Sequence, residues 1–222
     1  MTKGLIASLR GENCEKNQDY ANFKIYQDIE FWLIGDGATY AKNSGDFIQE
    51  FTEMLLMALT KKHNDWTPKA VLQLIKDLHQ KIQRKYICAK ASILLFIIDH
   101  KNRIQHCFFL GDCRIGELLE NTIQWKNTPH NLFVALQGTD EQKMCASQER
   151  NVLFKQLTGK RFVVPEYIRL NLDLTKPVVM ATDGFWSNYP NTLPADLNTS
   201  SLQTYLGIQK DKGDDITILV RQ

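Results

Sequence analysis

The sequence predicts an α+β fold, a sandwich of antiparallel sheets covered by helices. Strand-like stretches come in groups joined by tight turns, and a paired block of helical periodicity interrupts them. A third observation is that several apolar runs end in aspartate. Glu30-Phe31-Trp32-Leu33-Ile34-Gly35-Asp36-Gly37-Ala38 starts with large types suited to a strand buried on both faces, then stops at an acid and a turn. The pattern returns at Phe108-Phe109-Leu110-Gly111-Asp112 and at Val178-Val179-Met180-Ala181-Thr182-Asp183-Gly184. One Asp-Gly pair is an ordinary turn. Several carboxylates delivered on core strand ends point to a shared cation.

Taken in order, Gly4 to Leu9 reads as a short strand. Tyr20 to Tyr26 alternates apolar and polar, and Ile29 to Gly35 returns beside it after Gln27-Asp28. Such a hairpin brings Asp19 and Asp36 to the same end. Phe47, Phe51, Met54, Leu55, Ala58 and Leu59 then recur at helical spacing, with Asn43 or Ser44 as a cap. Thr67-Pro68 is a helix start, and Val71, Leu74, Ile75, Leu78 and Ile82 follow on one face. A short polar link makes the two helices an antiparallel pair on one side of a sheet. Ala91 to Asp99, Ile104 to Leu110, Cys113 to Leu119 and Thr122 to Trp125 read as an antiparallel meander. Residues 127–165 are read as surface, with capping-box spacing at Thr139 to Gln142 and a helix over Glu149 to Thr158 ending at Gly159. Tyr167 to Leu172 and Val178 to Thr182 are further strands, and Leu202 to Leu206 is a helix ended by Gly207. In Lys212 to Val220, Asp214 and Asp215 precede a final strand.

With 222 residues and no linker or repeat, one domain over 1–222 is expected. The net charge of +2, from 27 basic and 25 acidic residues, gives no pull toward nucleic acid or membrane. No apolar run reaches the length of a membrane span, and the opening residues are too short a run for a signal peptide. Five cysteines without Cys-x-x-Cys spacing suggest reduced thiols in a cytosolic protein. Asn198-Thr199-Ser200 matches a glycosylation acceptor by chance. Cys107 and Arg114 are too far apart, across an apolar run, for a cysteine-phosphatase loop, and no Gly-x-Ser-x-Gly elbow, Walker loop or dinucleotide fingerprint occurs. The acids Asp19, Asp36, Asp112, Asp183, Asp214 and Asp215 remain. Pooled carboxylates need a counter-charge, and all-oxygen donors without histidine favour Mg²⁺ or Mn²⁺.

Asn17-Gln18-Asp19, Gly35-Asp36-Gly37, Ala91-Ser92, Gly111-Asp112-Cys113-Arg114, Thr182-Asp183-Gly184-Phe185-Trp186 and Gly213-Asp214-Asp215-Ile216-Thr217 stand in an order and spacing that resembles metal-dependent type 2C protein phosphatases, most nearly the compact bacterial members. The resemblance runs from residue 4 to 221. It implies a four-layer α-β-β-α fold, a β-sandwich flanked by pairs of antiparallel helices. It also implies hydrolysis of phosphoserine and phosphothreonine on proteins at a centre of two Mn²⁺ or Mg²⁺ ions. By the same resemblance Asp36 bridges both ions, Gly37 offers its carbonyl oxygen, and Asp183 and Asp214 complete the other shell. Asp19 acts through a water, Asp112 matches the residue that serves a third ion, and Asp215 lies outside the first shell. A phosphorylated protein, a cognate serine/threonine kinase, a cytoplasmic location and a monomer are implied as well.

The chain also departs from the family pattern. Cys14 stands where many members carry a phosphate-gripping arginine, leaving Arg10 or Arg114 as substitutes. Gln18 replaces a common glutamate, Thr39-Tyr40 a Gly-Gly pair, and Ala38 a histidine found in some members. Ser187 stands where an acid often serves the third ion. Cys14, Thr39 and Ser187 keep a second function open: a weak or inactive phosphatase-fold module that binds a phosphoprotein as a regulator. A small-molecule phosphatase shares the chemistry. Residues 127–165 are positioned to form a flap that selects substrates.

Overall fold

A strand buried on both faces must find a covering layer on each side, and that requirement sets the architecture. The computed structural model describes residues 2–61, 66–188, 192–208 and 213–222. Met1, the polar link at 62–65 and Lys212 lie outside them. One sheet runs β2 (Asp19–Tyr26), β3 (Ile29–Gly37), β4 (Lys90–Asp99), β5 (Ile104–Leu110), β9 (Glu166–Leu170), with the two-residue β8 (Leu157–Thr158) added against β4. The other runs β1 (Gly4–Leu9), β11 (Ile216–Arg221), β10 (Val178–Ala181), β6 (Arg114–Leu119), β7 (Thr122–Trp125). The strand pairs are antiparallel.

Side-chain alternation assigns each residue of the long apolar runs to a layer. Trp32 and Ile34 of β3, with Leu94, Phe96 and Ile98 of β4, face the other sheet and meet Ile115, Val178, Met180 and Leu219 there. Their neighbours Phe31, Leu33, Ile93, Leu95 and Ile97 face outward. That outer face is covered by α1 (Ser44–Lys61) and α2 (Pro68–Ile82) through Phe47, Phe51, Leu55, Val71, Ile75 and Leu78. Burial of each such side chain contributes about 1.5–3 kcal/mol. The outer face of the second sheet is covered by α3 (Leu132–Gln137), α4 (Glu141–Ala146), α5 (Asp183–Trp186) and α6 (Thr199–Gly207). The layers are therefore α, β, β, α. Among the described residues no helix is long and apolar enough to cross a membrane.

The structure corrects the sequence in three places. Residues 91–125 are not one meander: β4 and β5 belong to one sheet, β6 and β7 to the other. The chain changes sheet at Gly111-Asp112-Cys113, where Gly111 has a φ of 101° and any side chain would collide with Ser92. The helix expected over Glu149 to Thr158 is a 3₁₀ turn at Gln148–Asn151 followed by extended chain. Tertiary pairing wins here. Val152 O accepts from Leu132 N at 2.8 Å, Phe154 N donates to His130 O at 3.0 Å, and Leu157 is buried where β8 joins β4. The cap expected at Thr139 is displaced by one residue, since Asp140 accepts from Lys143 N at 3.1 Å. Asn198 of the acceptor-like triplet caps α6, accepting from Ser201 N at 2.9 Å.

At the end of the sandwich away from Asp36, a buried ion pair joins the sheets. Arg221 of β11 donates to Glu30 of β3 at 2.7 Å through Nε and 3.0 Å through Nη2. Trp32 Nε1, Thr2 Oγ1 and the His100 ring complete the carboxylate's partners at 2.9, 3.0 and 2.7 Å. Burial pushes the Glu30 pKa up, but the hydrogen bonds from Arg221 and His100 outweigh it and hold the group below its ordinary value. A depressed carboxylate stabilises the fold above its unfolded pKa, and that contribution is lost as pH falls through the folded value. Glu30→Gln, which strands a buried guanidinium, should therefore lose about 3–5 kcal/mol in urea unfolding at neutral pH. The gap to wild type should close as pH drops below about 4.

Candidate metal centre

Each acid reaches the site by its place on a strand end. In the β2–β3 hairpin Asp19 lies directly opposite Asp36, and across β3–β4 Asp36 lies opposite Ser92. Ser92 Oγ donates to Asp112 Oδ1 at 2.5 Å and accepts from Asp112 N at 3.2 Å, so the sheet crossing is tied to the strand beside Asp36. The indole Nε1 of Trp186 on α5 donates to Asp112 O at 2.8 Å. Asp183 opens α5 just past β10, and Asp214 precedes β11. Thr182 Oγ1 donates to Asp19 Oδ2 at 2.8 Å and accepts from Thr217 N at 3.0 Å. Gly37 follows Asp36 where the hairpin packs closely on the start of α1, with no room for a side chain against Gly45 N and Ser44.

Asp36, Asp112, Asp183 and Asp214 line one cavity of about 640 Å³, together with Thr39, Tyr40, Ser92, Lys90 and Arg150. Asp19 lies behind them, its Oδ1 buried without a partner. The charges repel. Burial and then Asp19, Asp183, Asp112 and Asp214 push the Asp36 pKa well up. Asp183 is raised by burial and then by Asp112 and Asp214, with Arg150 opposing. Asp112 is pushed up to about 6 by burial, with Ser92 holding it down. Burial raises Asp19 to about 8, offset by the Thr182 hydrogen bond and augmented by Asp215 and Asp214. The orphaned Asp19 oxygen and the crowded oxygens are a deficit of positive charge. Oxygen donors of this kind fit a hard divalent cation. Among the described residues no three His, Cys, Asp or Glu side chains form a ready-made cage. Ions that keep much of their water do not require one.

Asp215 has a different task. It is 3% exposed, and its two carboxylate oxygens accept from Gly11 N at 2.9 Å and Gln18 N at 2.7 Å. It thus pins both ends of the loop that delivers Asp19. Cys14 sits in that loop, buried, its Sγ 3.9 Å from Thr39 Oγ1, its thiol pushed up by burial and by Asp215. It is an uncharged thiol, with no tendency to act as a nucleophile.

Neither arginine expected at the phosphate lines the cavity. Arg10 donates to Glu15 O at 3.1 Å. Arg114 is 3% exposed, held at both ends by Glu141 at 2.6 and 2.7 Å and set between the Trp125 and Trp186 rings. The residue that sequence reasoning missed is Arg150. Its Nη1 lies 3.4 Å from Asp183 Oδ2. No periodicity or motif surrounds it, so nothing local marks it.

No protein-family model matches the chain, and no curated protein matches it in sequence. Solved structures do match in fold. The S. agalactiae serine/threonine phosphatase superposes with a TM-score of 0.80 at 14% identity, covering 100% of this chain and 99% of that one. Stp1 from Staphylococcus aureus, also a serine/threonine phosphatase, gives 0.81 at 14% identity over 100% and 94%. The catalytic domain of the serine/threonine protein phosphatase PstP, in complex with two manganese ions, gives 0.75 at 12% identity over 100% and 97%. The chain has the fold of these bacterial phosphatases.

Asp215→Ala leaves two buried backbone N–H groups unpaired and should destabilise the protein by about 2–5 kcal/mol in urea unfolding. Asp215→Asn keeps one acceptor and should fall between that variant and wild type.

Proposed function

We propose that the protein is a metal-dependent phosphatase that hydrolyses phosphoserine and phosphothreonine esters on other proteins. The observation that carries this is the meeting of Asp36, Asp112, Asp183 and Asp214 in one cavity on a phosphatase fold, with Asp19 behind them. Asp36, Asp183 and Asp214, with the carbonyl oxygen of Gly37, would hold two Mn²⁺ or Mg²⁺ ions, and Asp19 and Asp112 would support them from either side. When bound, such ions supply Lewis acidity and a water made acidic enough to attack phosphorus.

The chain's own residues supply order and shape. Thr182 fixes the Asp19 carboxylate, Ser92 fixes Asp112, and Thr39 Oγ1 donates to Asp214 Oδ1 at 3.3 Å. Ala38, rather than a proton donor, follows Gly37, so that position offers the departing alkoxide no side-chain acid. A cavity of about 640 Å³ bordered by the fully exposed Tyr40 takes more than a phosphorylated side chain, which favours a polypeptide over a small ester. Free cysteines support a reducing, cytosolic setting, and the small net charge supports a protein partner over nucleic acid or membrane. A phosphoprotein, its serine/threonine kinase and a monomeric phosphatase complete the proposal.

The buried, uncharged Cys14 favours a second function, a regulatory module that binds a phosphoprotein and leaves it intact. Turnover of an aryl phosphate or phosphopeptide with Mn²⁺ separates the two. Outer-shell losses at metal sites typically reduce activity 10- to 100-fold, so Asp36→Asn, a direct ligand, should lower turnover by at least about a hundredfold. A chelator should do the same to wild type while the circular dichroism spectrum is retained. Tight phosphopeptide binding without turnover in wild type would favour the module instead.

A further inference from the structure

A phosphoryl group brought over a cluster of carboxylates is well held by a cationic fork from the protein beside any ions beneath it. The loop before β2 brings Asn13 to the cavity, Cys14 is buried and uncharged there, and Lys16 is paired with Asp46. Arg10 is engaged with Glu15 O, and Arg114 is closed on Glu141. Among the described residues, the cationic side chains lining the cavity are those of Lys90 and Arg150. Lys90 is exposed at the start of β4. Arg150 reaches inward to Asp183.

We propose that Arg150, on the 148–151 turn, is the residue that grips the phosphoryl oxygens of the substrate. The claim rests on the phosphatase proposal for the identity of the anion, while the placement of the guanidinium is independent of it. Its contact with Asp183 is loose, at 3.4 Å, against 2.6 and 2.7 Å for the closed Arg114–Glu141 fork. Charge-assisted bonds at full strength run about 2.7–2.9 Å. A guanidinium has five N–H donors, and a single long bond leaves most of them for an incoming anion. Once a cation takes the charge of Asp183, Arg150 has the less reason to stay on it.

The turn is also well placed to hold its aim. Asn131 bridges Leu153, Leu132 N donates to Val152 O at 2.8 Å, and Phe154 N donates to His130 O at 3.0 Å. His130 in turn exchanges bonds with Gly111, its N donating to Gly111 O at 2.9 Å and its Nδ1 accepting from Gly111 N at 3.1 Å. The arginine-bearing segment is thereby fixed to the loop that carries Asp112.

The test is equilibrium binding of inorganic phosphate and of Mn²⁺, followed by kinetics on a phosphopeptide. Arg150→Ala should weaken phosphate binding to the Mn²⁺-loaded protein, and raise KM, by about ten- to a hundredfold. Its Mn²⁺ affinity should be equal or tighter, because a positive charge next to Asp183 has gone. Arg150→Lys should recover only part of the phosphate affinity. Lys155→Ala removes a charge of the same sign from the same segment, outside the cavity, and should match wild type. Unchanged phosphate binding in Arg150→Ala overturns the proposal. A fall in Mn²⁺ affinity parallel to the phosphate loss also overturns it, since Arg150 would then be shaping the acids. If wild type binds phosphate through Arg150 but hydrolyses no ester, the grip stands and the enzymatic proposal fails.

Discussion

Carboxylates crowded at one end of a sandwich push each other apart, and much of the molecule serves to hold them against that push. The strand pairing does most of it. Asp19 and Asp36 face each other across an antiparallel ladder, and Asp36 faces Ser92 across the next. Hydroxyls then fix individual oxygens: Thr182 for Asp19 and Ser92 for Asp112. Asp215 stays ordered among like charges because a backbone N–H holds each of its oxygens. At the opposite end Glu30 and Arg221 join the sheets, so the repulsion cannot pry the layers open from that side.

The local part of this design was legible in the sequence. A tight hairpin necessarily sets the start of one strand beside the finish of the next, so the meeting of Asp19 and Asp36 follows from short-range pattern. The unbroken apolar runs of β3 and β4 were legible too, since only a layer buried on both faces tolerates them. Sheet membership was not. β5 and β6 are consecutive and strand-like, and the chain passes to the other sheet at Gly111, where φ is positive and Ser92 leaves no room for a side chain. The segment after Glu149 carries acceptable helix formers, but Leu157 is buried against β4, and long-range packing overrode local preference.

Charged side chains were the least legible. Arg114 sits in a motif and invites a role at the phosphate, yet two indoles and Glu141 enclose it. Arg150 sits in no motif and reaches the acids. Sequence reports that a guanidinium exists; its neighbours decide whether it is structural cement or a free hand. Asp19 and Asp36 come from strands, Asp112, Asp183 and Asp214 from positions just beyond or before one, and the cation from an irregular loop. A rigid scaffold with a loop-borne contact residue is a common division of labour.

The chain that follows that loop is stitched down twice, at Asn131–Leu153 and where Leu157–Thr158 joins β4. Between the stitches, residues can be gained, lost or exchanged without shifting the register of either sheet, because added loop length carries only a small entropic penalty. Such exchanges would reshape the rim of the cavity, where Leu153 and Gln156 stand, and leave the acids beneath it in place.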